Sequence, residues 1–327
     1  MSSQQKPKDL FDLFCDFCVG HAQIQIFFQF LLALTILFVF KCVWHLIRPS
    51  LVEEVDYRLT ADRIELSSRP LWIPPSPQSD AIANNSNVFD NEPLSLLNPK
   101  LAEKLMNAFR AEPWVREVNS VRLEYPATVL VDAQFRKPVA FVEKESTFKD
   151  GVSSRMAYQI DADGVLLPTD FLAAVVSTNP SSIHDYLWIQ GIHSTPIGDY
   201  GKPWNDPILE EAALLADFLR SSFRSLGIAK ILIPDEKENN NVPIEELSSQ
   251  RIWHLETVKG HEIIWGPFPM SAVIRAQSGS RADYDVAKGE AFLHEEPKLM
   301  RLINLSKGKT LDELDENCFP IDLTESE

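Results

Sequence analysis

An uninterrupted apolar segment near the N-terminus constrains this chain more than any other feature. No residue from Val19 to Phe40 carries a formal charge, and the segment from Ile24 to Phe40 reads IQIFFQFLLALTILFVF. At about 1.5 Å per residue, a helix from Ile24 to Ile47 matches the ~30 Å hydrocarbon layer of a membrane. We therefore predict a single transmembrane anchor over residues 23–48, embedded in lipid from Ile24 to Ile47, after an N-terminal tail of residues 1–22.

Two other interpretations of the segment are a buried core helix and a cleavable signal peptide. A buried helix rarely runs this far without a polar face, and no small-residue cleavage site of the A-x-A kind follows the apolar run. The residues outside the lipid give a weaker indication of orientation. Lys6 and Lys8 precede the helix, whereas Lys41, Arg48 and Arg58 follow it, so the positive-inside count mildly favours a cytoplasmic C-terminal body.

The rest of the chain is acidic and poor in cysteine. The net charge is −16, and because residues 1–48 sum to +1, the chain beyond Arg48 carries −17. Nucleic-acid binding requires clustered Lys and Arg, so we expect no nucleic-acid partner. Beyond the anchor the sequence contains a single cysteine, Cys318, so the body is expected to fold without an internal disulfide.

The sequence after the anchor predicts a small α+β module. Residues Tyr57 to Leu66 read as a strand, and the Pro- and Asn-rich stretch 69–99 reads as an insertion with room for one short helix. A helix capped by Asn98 should then end at Ala111, with one apolar stripe. Two strands should follow, with the alternating pattern of a half-buried sheet. They run from Val118 to Tyr125 and from Thr128 to Phe135.

A second, β-rich module with flanking helices is expected from about Phe141 onwards. The sequence around Asp163-Gly164 predicts a hairpin, and a long helix should run from an Asp206 cap to Leu226. Further elements are predicted as strands at 228–233, 251–257 and 261–265, a variable insertion near 268–292, a short helix at 297–305 and a last strand around 319–323.

Several short motifs occur in one order along the chain. The stretch from Glu112 to Val142 reads EPWVREVNSVRLEYPATVLVDAQFRKPVAFV, and it is followed by YQIDADGVLLP, WIQGI, RIWHLETVKGHEIIWG and, near the end, PIDL. Together these motifs resemble the FtsQ/DivIB family of bacterial division proteins. The motif positions that resemble the family's structural residues are Pro113, Trp114, Val115, Pro126, Pro138, Val139, Ala140, Asp163 and Gly164.

The resemblance implies a transmembrane helix, a POTRA module at residues 49–142 and a β-rich domain at 143–327, outside the inner (cytoplasmic) membrane in the periplasm. The chain departs from the family at three points. Ser67 and Ser68 stand where the family has a glycine, Phe135 replaces an acidic residue, and Thr324 replaces the arginine after the final Ile/Val-Asp-Leu.

A non-catalytic scaffold of the division machinery is the function that the resemblance implies, with partners similar to the bitopic coiled-coil proteins FtsB and FtsL. The last strand is our candidate edge for adding a partner strand, because Pro320 cannot donate a hydrogen bond to a neighbour. The predicted partner-binding residues are Cys318, Phe319, Pro320, Ile321, Asp322 and Leu323. The alternative function is a membrane-tethered enzyme or a POTRA-type protein of envelope transport or assembly.

Positive signs of catalytic chemistry are weak, and no catalytic residue, cofactor or metal site is predicted. Asp161 and Asp163 lack a calcium-loop ligand array, and Cys15-x-x-Cys18 with His21 lacks an evident fourth zinc ligand. Lys307-Gly308-Lys309-Thr310 lacks the upstream glycine of a phosphate loop. Adjacent carboxylates, such as the pairs at 210–211 and 245–246, are expected to be solvated.

Overall fold

The N-terminal helix α1 runs from Leu10 to Glu53 in the computed structural model, which describes residues 10–70, 72–73, 77–84, 94–147, 153–168, 186–233, 251–268, 273 and 280–324. Its segment Phe27–Arg48 has a mean hydropathy of 2.2, and none of it is buried. By length and composition this segment can cross a membrane. The interpretation as a buried core helix therefore does not fit the structure.

A three-stranded sheet with two helices follows α1. Its elements are β1 (Ile64–Leu66), α2 (Pro77–Asn84), α3 (Leu101–Ala111), β2 (Val115–Glu124) and β3 (Thr128–Phe135). The strand order is β1-β3-β2, with β1 parallel and β2 antiparallel to β3. The sequence therefore predicted this α+β unit and its single short helix inside the stretch 69–99.

The core of this unit forms between α3 and the inner face of β3. Four α3 side chains are completely buried, and the alternate β3 residues pack with them in one hydrophobic cluster. The α3 residues are Leu101, Leu105, Ala108 and Phe109, and the β3 residues are Val129, Val131 and Ala133. The 3.6-residue period of the helix and the two-residue period of the strand were both visible in the sequence, so both predictions are confirmed.

Two local predictions for this unit were wrong in detail. The segment predicted as a strand from Tyr57 contains a 3-10 turn at Ala61–Arg63, and the strand itself is restricted to Ile64–Leu66. Asn98 does not cap α3 directly. Its side-chain oxygen accepts a hydrogen bond from the Lys100 backbone N–H (3.0 Å), and the helix begins one residue later.

An eight-stranded mixed sheet forms most of the remaining body. Its strands are β4 (Pro138–Thr147), β5 (Ser153–Asp161), β6 (Leu166–Leu167), β7 (Leu187–Gln190), β8 (Ile228–Leu232), β9 (Trp253–Thr257), β10 (Glu262–Gly266) and β11 (Ile321–Asp322). The strand order is β11-β10-β9-β8-β7-β4-β5-β6. β4, β7 and β8 are mutually parallel, β11 is parallel to β10, and the other pairs are antiparallel.

The chain leaves the small sheet for the large one between Phe135 and Pro138. Strand β4 pairs with β5 and β7 along its length, so Pro138, Val139 and Ala140 belong to the large sheet. The module boundary predicted between residues 142 and 143 thus falls inside β4, whereas the chain passes from one sheet to the other at residues 136–137.

Helices α4 (Pro207–Leu219) and α5 (Phe223–Leu226) pack on the large sheet. The predicted cap is confirmed, because the Asp206 carboxylate accepts hydrogen bonds from the Ile208 and Leu209 backbone N–H groups at 2.9 and 3.4 Å. The single helix predicted up to Leu226 is instead two helices separated by residues 220–222. Gly227, at φ +76°, ends the second one.

The structure differs most from the prediction at helix α6, which runs from Arg281 to Ser306. Its first half occupies residues predicted as a variable insertion near 268–292, and Pro297 lies inside the helix instead of starting one. Residues 269–272 and 274–279 of the predicted insertion lie outside the described residues. Short 3-10 turns at Leu311–Glu313 and Glu316–Cys318 then lead to β11.

Candidate functional site

The predicted partner-binding strand lies at one end of the eight-stranded sheet, as β11. The side chains of Ile321 and Leu323 are 7% and 3% exposed and join the core of the large sheet. Phe319 is half-buried and stacks on His261, with 4.3 Å between the ring centroids. The three side chains therefore share one face, as predicted, but this face contacts the protein's own core and does not present apolar groups to a partner.

The other three predicted residues of this segment, Cys318, Pro320 and Asp322, are exposed. The backbone of this segment determines which hydrogen-bonding groups the sheet edge presents. Leu323 N–H donates to the Ile264 carbonyl oxygen (2.9 Å), and Ile321 and Asp322 lie opposite Ile263 and Ile264. Because consecutive residues of a strand direct their N–H and C=O groups to opposite sides, those of Asp322 point away from β10.

A small turn closes the C-terminal end of this edge. The Asp322 carboxylate accepts hydrogen bonds from the backbone N–H (2.8 Å) and the hydroxyl (2.6 Å) of Thr324. These two bonds hold the pKa of Asp322 below its usual value. Pro320, which lies on the same side as Asp322, has no N–H. The outward edge therefore presents the N–H of Asp322 and the carbonyl oxygens of Pro320 and Asp322.

The opposite end of the large sheet is covered by its own chain. Residues 201–203 lie against β6, where Leu166 N–H donates to the Lys202 carbonyl (3.0 Å) and Gly201 N–H donates to the Leu166 carbonyl (2.7 Å). A further bridge joins Val165 and Pro203. At this end, β6 pairs with β5 only at Gln159 and Ile160, so the outer side of β5 at residues 153–158 has no strand partner among the described residues. At the other end, β11 is paired with β10 alone.

Several motif residues, among them Pro113, Trp114 and Asp163, lie at the junction of the two sheets, whereas Pro126 lies in the β2–β3 turn. Trp114 is buried between Phe109 and Phe135, with ring centroids 6.4 and 5.7 Å away, and its carbonyl accepts a hydrogen bond from Arg136 N–H (2.9 Å). Pro113 lies directly against Gly201 of the large-sheet unit. A Cβ atom built on Gly201 would lie 2.7 Å from the Pro113 Cα atom.

Ion pairs join the same two units. Arg136 Nη1 lies 2.7 Å from Asp161 Oδ2, and Arg116 Nη2 of β2 lies 2.5 Å from Asp163 Oδ2. The Tyr284 hydroxyl of α6 also donates to Asp163 Oδ1 (2.8 Å). Asp163 thus connects the small sheet, the hairpin and α6. The sequence did not reveal Arg116 and Tyr284 as partners of Asp163, although Arg116 directly follows the Pro113-Trp114-Val115 motif.

The Asp161–Gly164 turn is a structural hairpin, as predicted. Asp161 Oδ1 accepts hydrogen bonds from the backbone N–H groups of Asp163 and Val165, both at 2.9 Å, and Gly164 adopts φ +69°. Both carboxylates are engaged with arginines and backbone groups, which disfavours the calcium interpretation. Within the described ranges, no group of three or more His, Cys, Asp or Glu side chains could hold a metal ion.

Several carboxyl groups lie close together beneath this turn. Burial raises the pKa of Asp161, the neighbouring Asp163 raises it further, and Arg136 opposes the change. Burial also raises the pKa of Glu210 to about 7, with further contributions from Asp206 and Asp163. The expectation that Glu210 and Glu211 are solvated was wrong. Glu211 is buried and lies 2.6 Å from Arg251, whereas the pair at 245–246 lies outside the described residues.

Two adjoining crevices are the natural places to look for an enzyme site. The larger, about 440 Å³, is lined by Glu143, Lys144, Arg155, Gln190, Gly191, Ile192 and His193. Lys144 Nζ donates to the carbonyls of His193 (3.3 Å) and Ser194 (2.9 Å). In the smaller crevice, the Ser194 hydroxyl donates to Asp206 and accepts from Trp204 Nε1. These contacts stabilise the loop that carries His193 and Ser194.

Comparison with known proteins adds no relative to this picture. No protein-family model matches the chain, and no curated protein matches it. The resemblance to FtsQ/DivIB proteins therefore depends on the quoted motifs, whose residues lie on β2 to β7, including the Asp161–Gly164 turn, and on β9, β10 and β11.

Proposed function

We propose that this protein is a non-catalytic, membrane-anchored scaffold that binds other membrane proteins by strand addition at β11. The carrying observation is the geometry of β11, which bears the Pro320–Leu323 motif: it is paired with β10 on one side and directs the Asp322 backbone groups outward on the other. An incoming strand gains main-chain hydrogen bonds at such an edge without needing a deep pocket.

Division is the process we assign to this scaffold. The motif order supports an FtsQ/DivIB-like protein, and the strand–helix–helix–strand–strand order of the small unit is compatible with a POTRA module. The expected partners are bitopic proteins similar to FtsB and FtsL. No nucleic acid, cofactor or enzymatic activity is part of this proposal.

The proposed location is the inner membrane, with the body on its outer, periplasmic side. The α1 segment Phe27–Arg48 supports a membrane anchor. The Lys and Arg count around α1 favours the opposite orientation, but long domains translocate with little regard to that count. A C-terminal alkaline-phosphatase fusion should be active and a fluorescent cytoplasmic reporter inactive; the reverse result would contradict the proposed side.

A single backbone donor tests the binding edge. Asp322→Pro removes the outward N–H, leaves the β10–β11 hydrogen bonds in place and is compatible with an edge position. We expect about a tenfold loss in co-purification of the FtsB- and FtsL-like proteins of the same cell, because one main-chain hydrogen bond is lost and the proline ring stands where the partner's carbonyl would bind.

Asp322→Ala is the matched control. It also removes the carboxylate that holds Thr324, but it keeps the backbone N–H, so partner recovery should stay close to that of the unsubstituted protein. Equal recovery with Asp322→Pro and Asp322→Ala, from two proteins with unchanged melting temperatures, would exclude β11 as the binding edge.

A further inference from the structure

Helix α6 carries a second apolar surface that packs on nothing within the described residues. Its inner side contacts the large-sheet core through residues such as Tyr284, Leu299 and Leu302. On the opposite side, Val286, Leu293 and Met300 are 62%, 69% and 48% exposed. These three residues are seven positions apart, so they project from one side of the helix.

Smaller residues complete a continuous stripe between these side chains. Ala282 and Gly289 are also exposed, and a Cβ atom built on Gly289 would meet no atom within 4 Å. We call Ala282, Val286, Gly289, Leu293 and Met300 the outer ridge. Their spacing alternates between four and three residues up to Leu293; the next position of the alternation is Glu296, and Met300 follows four residues later. This is the pattern of the contact seam in a two-helix coiled coil.

Carboxylates flank the outer ridge on both sides. On a helical wheel, Asp283 and Glu290 lie to one side, together with the half-buried Arg301, and Asp285 lies to the other. Glu296 lies at the margin of the ridge itself, and all four carboxylates are exposed. The lysines of α6 point towards the body instead. Lys288 Nζ binds Asp217, and Lys298 Nζ binds the Pro267 carbonyl (2.7 Å) and Glu295 (2.9 Å).

We infer that the outer ridge docks an amphipathic helix of a partner protein, with apolar residues at three- and four-residue spacing and Lys or Arg beside them. In a coiled coil, the charged residues beside the apolar seam determine which helix binds. Acidic residues beside the outer ridge therefore favour a partner helix with basic residues. A second copy of this chain would bring the same carboxylates together, and an anionic lipid surface would repel them. This surface is distinct from the β11 edge and goes beyond the scaffold function proposed above.

A designed peptide provides the probe. It comprises about four heptads, with Leu in the seam positions and Lys at the flanking positions. Full-length protein in nanodiscs is titrated against the labelled peptide, and binding is followed by fluorescence anisotropy. We expect saturable binding that is at least about tenfold tighter than that of the same peptide with Glu in place of Lys. A third peptide with Ser at the seam positions should not bind.

Two matched variants locate the binding. Leu293→Gln removes an exposed apolar group of the outer ridge without adding charge, and it should weaken peptide binding by about tenfold. Ile197→Gln makes the same kind of change at a loop residue that is 81% exposed, and it should leave binding unchanged. Asp322→Pro should also leave peptide binding unchanged, so the two proposals can fail separately.

Each remaining outcome would overturn the inference. Equal binding of the Lys and Glu peptides, or equal binding to the Leu293→Gln variant and the unsubstituted protein, would exclude the outer ridge, as would a lack of saturable binding. If the protein self-associates and the Leu293→Gln variant does not, the outer ridge binds a second copy of this chain. If the α6 amides exchange more slowly in nanodiscs than in detergent, the outer ridge binds the lipid surface.

Discussion

A carboxyl group with a pKa near neutrality lies in the first turn of α4. Glu210 is half-buried beneath the Gly164 turn, and the Asp206 and Asp163 carboxylates lie near enough to raise its pKa further, to about 7. A raised pKa means that the folded protein binds the Glu210 proton more tightly than the unfolded chain does. The folded state therefore loses stability as the pH rises from about 4.5 to about 7.

Replacing the Glu210 carboxyl group with an amide should remove this loss of stability at higher pH. Glu210→Gln should match the unsubstituted protein near pH 4 and be more stable by about 1–2 kcal/mol at pH 8, a value reduced for solvent screening of a half-exposed group. Thermal unfolding followed by tryptophan fluorescence across this pH range measures the difference. Glu290→Gln, at an exposed α6 position, is the control and should show no such pH-dependent gain. A constant difference at all pH values would contradict the assignment.

The environment of Glu210 could not be read from the sequence. Adjacent carboxylates on a helix normally face solvent, and this rule fails here for both residues. The Asp161–Gly164 turn packs over Glu210, and Arg251, just before β9 and 40 residues further along the chain, approaches Glu211. Both neighbours are distant in the chain, so a local pattern contains no information about them.

At the level of elements, β11 combines a buried face with an outward edge, so deleting it is a poor test of binding. Leu323 is 3% exposed within the large core. Leu323→Ala should lower the free energy of unfolding by about 2–4 kcal/mol, because a buried leucine leaves a cavity when it is truncated. Chemical denaturation measures this loss.

An exposed residue of the neighbouring hairpin supplies the comparison. Val258, in the turn between β9 and β10, is 66% exposed, and Val258→Ala should change stability by less than about 0.5 kcal/mol. If Leu323→Ala behaves like Val258→Ala, the β11 side chains contribute little to the core, and deletion of residues 318–327 becomes a valid binding experiment after all.

Elements with apolar residues on one face only were predictable, and an element with apolar residues on both its buried and its exposed face was not. Helix α3 and strand β3 each bury one face, so their periods appear directly in the sequence. Helix α6 buries Tyr284 and Glu295 on one side and exposes Leu293 on the other, which removes the contrast between its faces. Pro297 in its interior further suggested a helix start, although tertiary packing continues the helix through it.

At the scale of the whole molecule, the resemblance identified motif residues that are distant in the sequence, but it could not predict which of them lie close together in the folded protein. Pro113 and Trp114 precede the small sheet's long hairpin, whereas Asp163 and Gly164 belong to the large sheet. They come together because the chain crosses between sheets at residues 136–137, which allows Arg136 to bind Asp161 and Arg116 to bind Asp163. This crossing depends on strand pairing and not on any local motif.

The contact between Pro113 and Gly201 offers a direct test of how tightly the two sheets are held. Gly201 has φ +85°, and an added Cβ would meet the Pro113 backbone at 2.7 Å. Gly260 has nearly the same conformation, φ +89°, but a Cβ there would meet nothing within 4 Å. Gly260→Ala should therefore cost only the backbone penalty of about 1–2 kcal/mol. Gly201→Ala should cost that penalty plus about 1–3 kcal/mol for overpacking.

Hydrogen exchange distinguishes a displaced junction from a general loss of stability. In Gly201→Ala, the amides of residues 114–116 and 164–166 should exchange faster than those of α3, because backbone atoms on both sides of the contact must separate. In Gly260→Ala, any faster exchange should remain near the β9–β10 turn. If the two variants lose equal stability, Pro113 moves aside without cost. The ion pairs of Asp161 and Asp163 would then be the contacts that fix the small sheet against the large one.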